Sequence, residues 1–197
     1  EALKSTALAP LIDSKPAGEP IRIWVAGCST GEEVYSIAML VSECMSDSDR
    51  ARSDDIKIFG TDIDDGAIRI ARSATYRRPV TGVSPERLER WFVNEGNDYR
   101  LRPEIRELCV FSVHSIVKDP PFSRLDLISC RNVLIYLDNE LQDRAVQAFH
   151  YALNSGGFLF MGPSERVTRG AKHFASVHGK HHVLQRRDTG ERLLPFS

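Results

Sequence analysis

No stretch of this chain reaches the roughly 18 to 20 consecutive apolar residues that a membrane-spanning helix needs, and no basic-then-apolar leader opens it. The expectation is a cytoplasmic protein without direct membrane insertion. An excess of charge of one sign is also missing: 26 basic side chains face 27 acidic ones, for a formal net charge of -1. That balance suggests neither the basic footprint of a nucleic-acid binder nor affinity for a membrane surface, and predicts an ordinary solvated surface. Cysteine is sparse. Cys28, Cys44, Cys109 and Cys130 lie far apart with no C-x-x-C pair, as expected of reduced, cytosolic thiols. Internal repeats and low-complexity tracts are absent too. What remains is 197 residues, 42% of them hydrophobic, enough to bury the core of one domain. The chain opens at Glu1, without methionine and inside a helical pattern, which predicts a piece of a longer protein.

Leu3, Ala7, Leu8 and Leu11 recur at helical spacing within Glu1 to Ile12, and Lys15 to Pro20 breaks that helix. Ile21 to Ala26 reads as a strand ending on Gly27, and Glu32 to Met45 as an amphipathic helix. Ile56 to Gly60, Thr61 to Asp65 and Gly66 to Ser73 repeat the unit as strand, polar turn and short helix. The alternation stops from Pro79 to Arg106, a charged insertion with Trp91, Phe92, Tyr99 and a turn at Gly96 to Asp98, which predicts a small hairpin or sheet. It resumes with strands at Cys109 to Val113 and Leu125 to Ser129, a helix over Asn139 to Leu153 and a strand at Phe158 to Met161. Phe174 to Val177 and His182 to Gln185 can form an antiparallel hairpin closing one sheet edge. The pattern predicts an α/β, Rossmann-like fold: a mostly parallel sheet, helices on both faces and a small β insertion.

Three places carry chemistry. The run Gly27-Cys28-Ser29-Thr30-Gly31-Glu32-Glu33 follows a strand and opens a helix, where glycines let the backbone approach a ligand and free amides face it. A tight crossover alone would also call for these glycines. No lysine follows the second glycine and there is no G-x-G-x-x-G, so neither a nucleoside-triphosphate cradle nor a dinucleotide fingerprint is present. Glu32 and Glu33 complement the helix dipole but would repel a pyrophosphate. A ligand with an ammonium or sulfonium fits better, and S-adenosylmethionine carries both.

The second place is Thr61-Asp62-Ile63-Asp64, 35 residues beyond Gly27. In nucleotide-type sheets an acid at the end of the second strand accepts hydrogen bonds from ribose hydroxyls, and Asp62 is that candidate. Asp64 or Asp65 is expected to cap the helix that follows. The third is Cys130-Arg131-Asn132-Val133-Leu134-Ile135-Tyr136, polar groups leaving a buried strand toward the ligand crevice. Taken alone, Asn132 could be a turn former and Tyr136 a buried aromatic. Asp119-Pro120-Pro121-Phe122 resembles the grip of amino-group methyltransferases, but it precedes its strand instead of following it. It reads as a rigid turn.

Together these motifs resemble the CheR family of chemotaxis-receptor methyltransferases: R-I-W-V-A-G-C-S-T-G-E-E-V-Y-S-I-A within Ile21 to Ala38, F-G-T-D-I-D at Phe59 to Asp64, and D-L-I-S-C-R-N-V-L-I-Y at Asp126 to Tyr136. The G-G-x-L-x-x-G-x-S-E pattern at Gly156 to Glu165 is similar too. The resemblance implies a class I S-adenosylmethionine-dependent methyltransferase that esterifies glutamates of receptor cytoplasmic regions, works as a monomer and leaves S-adenosylhomocysteine. It implies that Glu33 and Asp62 contact the methionine and ribose parts of the cofactor, over a turn whose Gly27, Ser29 and Thr30 are expected to hold it too. Arg131 and Asn132 would line the pocket, Ser115 and Ile116 would lie beside the adenine, and Tyr136 would face the methyl-transfer centre. Family members commonly have Asn where this chain has Ser115.

Members of that family carry a helical N-terminal domain and, just before the first residues here, a phenylalanine-rich segment with an arginine thought to assist catalysis; neither is in this chain. Their inserted sheet can dock a receptor's C-terminal peptide, and the insertion here is shortened around Val93 to Leu101, so no reliance on such tethering is expected. Two rivals stand beside this reading. A nicotinamide-dependent oxidoreductase shares the fold class, and a non-catalytic module could bind the methyl donor or its product as a sensor. His173, His178, His181 and His182 lack a partnering acidic or cysteine cluster, so no metal is expected.

Overall fold

The computed structural model describes residues 1–16, 18–46, 56–77, 82–165 and 171–188. The opening segment is a π-helical turn over Lys4–Leu8 running into α1 (Ala9–Ser14), followed by β1 (Ile21–Ala26) and α2 (Glu32–Ser46). Next come β2 (Ile56–Asp62) and α3 (Asp65–Ser73). The insertion comprises β3 (Thr75–Arg77), α4 (Pro85–Trp91), β4 (Phe92–Glu95), β5 (Asp98–Leu101) and α5 (Pro103–Arg106). The chain then builds β6 (Cys109–Val113), β7 (Leu125–Cys130), α6 (Asn139–Ala152), β8 (Leu153–Met161), β9 (Phe174–His178) and β10 (Val183–Arg186).

The main sheet runs β6-β2-β1-β7-β8-β10-β9, parallel through its first five strands, with β10 antiparallel to both neighbours. The order reverses at β1, which creates the crevice of a doubly wound sheet. Alternation along β1 assigns the faces. Ile21, Ile23 and Val25 join the core under α1 and α2, while Trp24 and Ala26 join the core under α6. Trp24 is fully buried, donates its indole N–H to Thr61 Oγ1 at 2.9 Å, and meets Phe122 and Phe149 edge-on. Removing such a ring would cost about 3–5 kcal/mol.

Several boundaries differ from the sequence pattern. Thr61 and Asp62 are strand residues, because β2 continues pairing with β6 through Asp62. The following helix starts at Asp65, capped by Asp64, whose carboxylate accepts the N–H groups of Gly66 and Ala67. The inserted sheet has the order β3-β5-β4 and begins at Thr75, ahead of the expected Pro79; residues 78–81 lie outside the described ones. β8 starts at Leu153 despite the polar Asn154 to Gly157, because Leu153 pairs with Leu125 across an irregularity in the ladder.

Between β6 and β7 no helix forms. Asp119 accepts the Ser115 N–H, and Phe122 stacks on Phe59 and His114, so the Asp-Pro-Pro-Phe run is a turn whose ring covers the α6 face of the sheet. At the far end of β7, buried Asp126 accepts from Lys15 Nζ, the Arg22 N–H and Asn154 Nδ2, tying α1, β1 and β8 together. Among the described residues no helix is long and apolar enough to cross a membrane, and the four cysteines are free thiols.

Candidate functional site

Strand register assembles the site. Ser112, Thr61, Ala26, Cys130 and Met161 are successive partners across β6, β2, β1, β7 and β8. One step further along each strand come Val113, Asp62, Gly27, Arg131 and Gly162. Gly27, Asp62 and Arg131 therefore leave three adjacent strands at one level, at the carboxyl edge where open α/β sheets bind ligands.

The turn after β1 departs from ordinary backbone at three alternate residues: Gly27 at φ +70°, Ser29 at +48° and Gly31 at +92°. A β-carbon on Gly27 would fall 2.2 Å from Cγ2 of Val133, and one on Gly31 would fall 2.8 Å from Cβ of Ala71. The glycines thus serve packing of the turn against the loop after β7 and against α3; the close approach that requires them is made by protein. Asp62 locks the same turn, its Oδ2 accepting the Ser29 N–H at 2.8 Å and its Oδ1 the Asp64 N–H at 3.0 Å. Each carboxylate oxygen keeps acceptor capacity for a ligand hydroxyl. Thr30 is committed locally: its hydroxyl bonds Glu32, and its carbonyl accepts from Tyr76 of β3 at 2.8 Å.

Glu33, in the first turn of α2, sits between β7 and the loop beyond it. Buried Ser129 donates its hydroxyl to Oε1, and Arg131 Nη1 donates to Oε2 at 3.1 Å. The guanidinium lies 5.0 Å over the Phe160 ring. Asn132 takes the left-handed conformation at φ +59°, and Leu134–Tyr136 makes one 3-10 turn that leaves Tyr136 82% exposed. That exposure answers the alternative of a buried aromatic. Tyr136 faces solvent at the mouth of the crevice.

Ser115 and Ile116 follow β6, but the Ser115 N–H is bonded to Asp119 and its hydroxyl accepts from Lys118 N–H. Ile116 packs half-buried against the α6 core. Thiol chemistry has no foothold here, because burial, then the Asp62 carboxylate, push Cys28 up to about 12. Burial likewise raises Cys130 well above the ordinary range. A surface cavity of about 480 Å³ opens elsewhere, beside β6, lined by Tyr35, Arg72, Arg106 and Phe111 among others, and none of the predicted residues lines it. Among the described residues no cluster of three or more His, Cys, Asp or Glu could hold a metal.

Four residues at this edge escaped the sequence reading as site residues. Ile63, directly after Asp62, is 75% exposed; an apolar residue between two aspartates was the available signal. Ser129 and Tyr76 are visible only through their contacts with Glu33 and Thr30. Glu165 reaches back to the loop after β7 from 32 residues away.

A family profile described as "CheR methyltransferase, SAM binding domain" matches residues 1–183. The "Uncharacterized 104.1 kDa protein in hypE 3'region" of Rhodobacter capsulatus is 38% identical over 93% of this chain but 19% of its own length. The "Probable chemotaxis protein methyltransferase" of Rhizobium etli is 35% identical over 88% of this chain and 66% of its own, and "Chemotaxis protein methyltransferase 1" of Pseudomonas aeruginosa is 30% identical over 94% and 69%. The chain thus spans about a fifth of the first relative and about two thirds of the other two. Among solved structures, a TehB-like SAM-dependent methyltransferase from Corynebacterium glutamicum shares the fold, with a TM-score of 0.50 at 16% identity over 90% of this chain and 84% of that one. The fold is accordingly the Rossmann-like one of class I S-adenosylmethionine-dependent methyltransferases, and the chain belongs to the CheR methyltransferase family, whose S-adenosylmethionine-binding domain residues 1–183 form.

Proposed function

We propose that the protein carrying this domain transfers the methyl group of S-adenosylmethionine to glutamate side chains in the cytoplasmic helical region of chemotaxis receptors. The observation that supports this best is the donor set at the crevice. Two carboxylates stand at this edge, Asp62 at the end of β2 and Glu33 in the first turn of α2, and the Arg131 guanidinium is paired with Glu33. Such a set suits a ligand with ribose hydroxyls and a cationic end, and repels a pyrophosphate.

On this reading Asp62 accepts from the ribose, Glu33 faces the charged methionine end, and Gly27, Ser29 and Thr30 form the turn beneath. Arg131 and Asn132 line the pocket, while Ser115 and Ile116 flank the base opposite exposed Ile63. When bound, the cofactor supplies an electrophilic methyl group on a sulfonium. A glutamate carboxylate, with an ordinary pKa of about 4.3, is already ionised at neutral pH and needs no general base. The task of the protein is alignment, bringing the oxygen to roughly 3–3.5 Å of the methyl and in line with it. Opposite charges neutralise during transfer, so electrostatic attraction weakens toward the transition state and positioning dominates. Tyr136, free at the mouth, orients the acceptor.

The setting proposed is a monomer in the cytoplasm that engages receptors without tethering through their C-terminal peptide. Calorimetry with that peptide should show no tight binding. Titration with S-adenosylmethionine, S-adenosylhomocysteine and NAD, followed by a methyl-transfer assay on a receptor cytoplasmic fragment, tests the function. Binding of the first two alone, with transfer, supports it. Binding without transfer by the full-length protein indicates a sensor module, and NAD binding overturns the cofactor assignment.

A further inference from the structure

Glu165 is a buried acid, 3% exposed, that follows β8 and points back into the sheet edge. Its Oε1 accepts the backbone N–H groups of Val133 and Leu134 at 2.8 and 2.9 Å, and its Oε2 accepts the Gly162 N–H at 2.7 Å. A carboxylate receiving three amide donors in a buried setting makes strong, directional bonds, and a buried amide left without its acceptor is costly. The two amides on Oε1 lie between Asn132, at φ +59°, and the 3-10 turn Leu134–Tyr136. Glu33 holds the start of the same loop through the Arg131 side chain.

We infer that Glu165 is the positioning residue of this loop: it fixes the backbone of Val133 and Leu134 so that Asn132 and Tyr136 are presented to the crevice in one arrangement. The loop is held from two sides, by Glu33 on a side chain and by Glu165 on the backbone. The consequence for turnover rests on the methyl-transfer reading; the consequence for loop order does not. Gly162 belongs to the same device, because a β-carbon there would lie 2.6 Å from Glu165 Oε2 and 3.0 Å from Asn132 Oδ1.

Hydrogen exchange on the full-length protein tests the inference, with Glu165→Gln, which turns one acceptor into a donor facing an amide, and Gly162→Ala, which displaces the carboxylate and keeps its charge. In each variant, exchange over residues 131–136 and at Gly162 should accelerate about tenfold or more while the β1 and β2 peptides keep their wild-type rates. Turnover at saturating cofactor should fall about 100-fold, a loss that weaker cofactor binding alone does not produce once the site is filled. Unchanged exchange over 131–136 in a folded variant overturns the inference, as does acceleration spread evenly through β1 and β2, which marks a residue of general stability. If wild-type protein transfers no methyl group, the proposed function fails while the exchange pattern still decides the role of Glu165.

Discussion

Ser29 donates its backbone N–H to Asp62 Oδ2 at 2.8 Å, so the turn after β1 and the acid at the end of β2 hold one another in place. Asp62 thus shapes the turn, and in the proposed function it also accepts from the ligand. Asp62→Ala should weaken binding of S-adenosylhomocysteine by about 10- to 100-fold, the range of one or two lost charge-assisted hydrogen bonds. Asp62→Asn, which keeps one acceptor, should fall between. Calorimetry reads both, and wild-type affinity in Asp62→Ala would remove Asp62 from the ligand site.

Tyr136 is 82% exposed and carries no burial to lose. Tyr136→Phe should leave the melting temperature within about 1 °C of wild type. Turnover should fall by about tenfold or more while cofactor affinity stays within about twofold. Weakened cofactor binding with unchanged turnover would reverse the role given to this side chain.

Gly27 is pinned by Val133. Gly27→Ala would set a β-carbon 2.2 Å from Val133 Cγ2 at a φ of +70°, and should destabilise the fold by about 1–3 kcal/mol. Adding Val133→Ala should recover part of that loss, leaving the backbone strain. Simple additivity of the two substitutions in denaturant unfolding would show that this contact does not require the glycine.

His150 on α6 is fully buried beside His173, and among the described residues neither of its ring nitrogens has a hydrogen-bond partner. Burial first, then Arg186 and His173, depress its pKa from 6.5 to about 4. The unfolded chain therefore binds the extra proton between these values, so the stability given by the neutral ring is complete above about pH 6.5 and is lost as pH falls toward 4. Between pH 7 and pH 4.5 the wild-type melting temperature should drop roughly 5 °C further than that of His150→Leu. Parallel melting curves for the two proteins would contradict the assignment.

Periodicity made the strand and helix alternation legible, and with it that Gly27, Asp62 and Arg131 lie at the carboxyl ends of neighbouring strand units; their common level comes from the register. Register was not legible. Thr61 and Asp62 look like a polar turn because β2 ends on polar residues that still pair with β6. Leu153 looks like the end of a helix, yet α6 stops one residue earlier and β8 begins there. The reason for Gly27 was hidden as well, since its neighbour Val133 is distant in sequence and only the fold brings them together. Ser129 and Glu165 carry no local pattern that announces their partners; a hydroxyl in a strand and an acid after one gain meaning only from what they touch. The proposed acceptor, in contrast, rests on family membership, because the crevice residues suit a methyl donor and carry no feature of a glutamate.

The most direct measurement is therefore on the product. Full-length protein, a receptor cytoplasmic fragment and methyl-labelled S-adenosylmethionine should give label on the fragment that mild alkali releases as methanol, as a carboxyl methyl ester requires, and that disappears when the receptor's methyl-accepting glutamates are replaced. Label that resists alkali, or cofactor binding with no label transferred, would contradict the account.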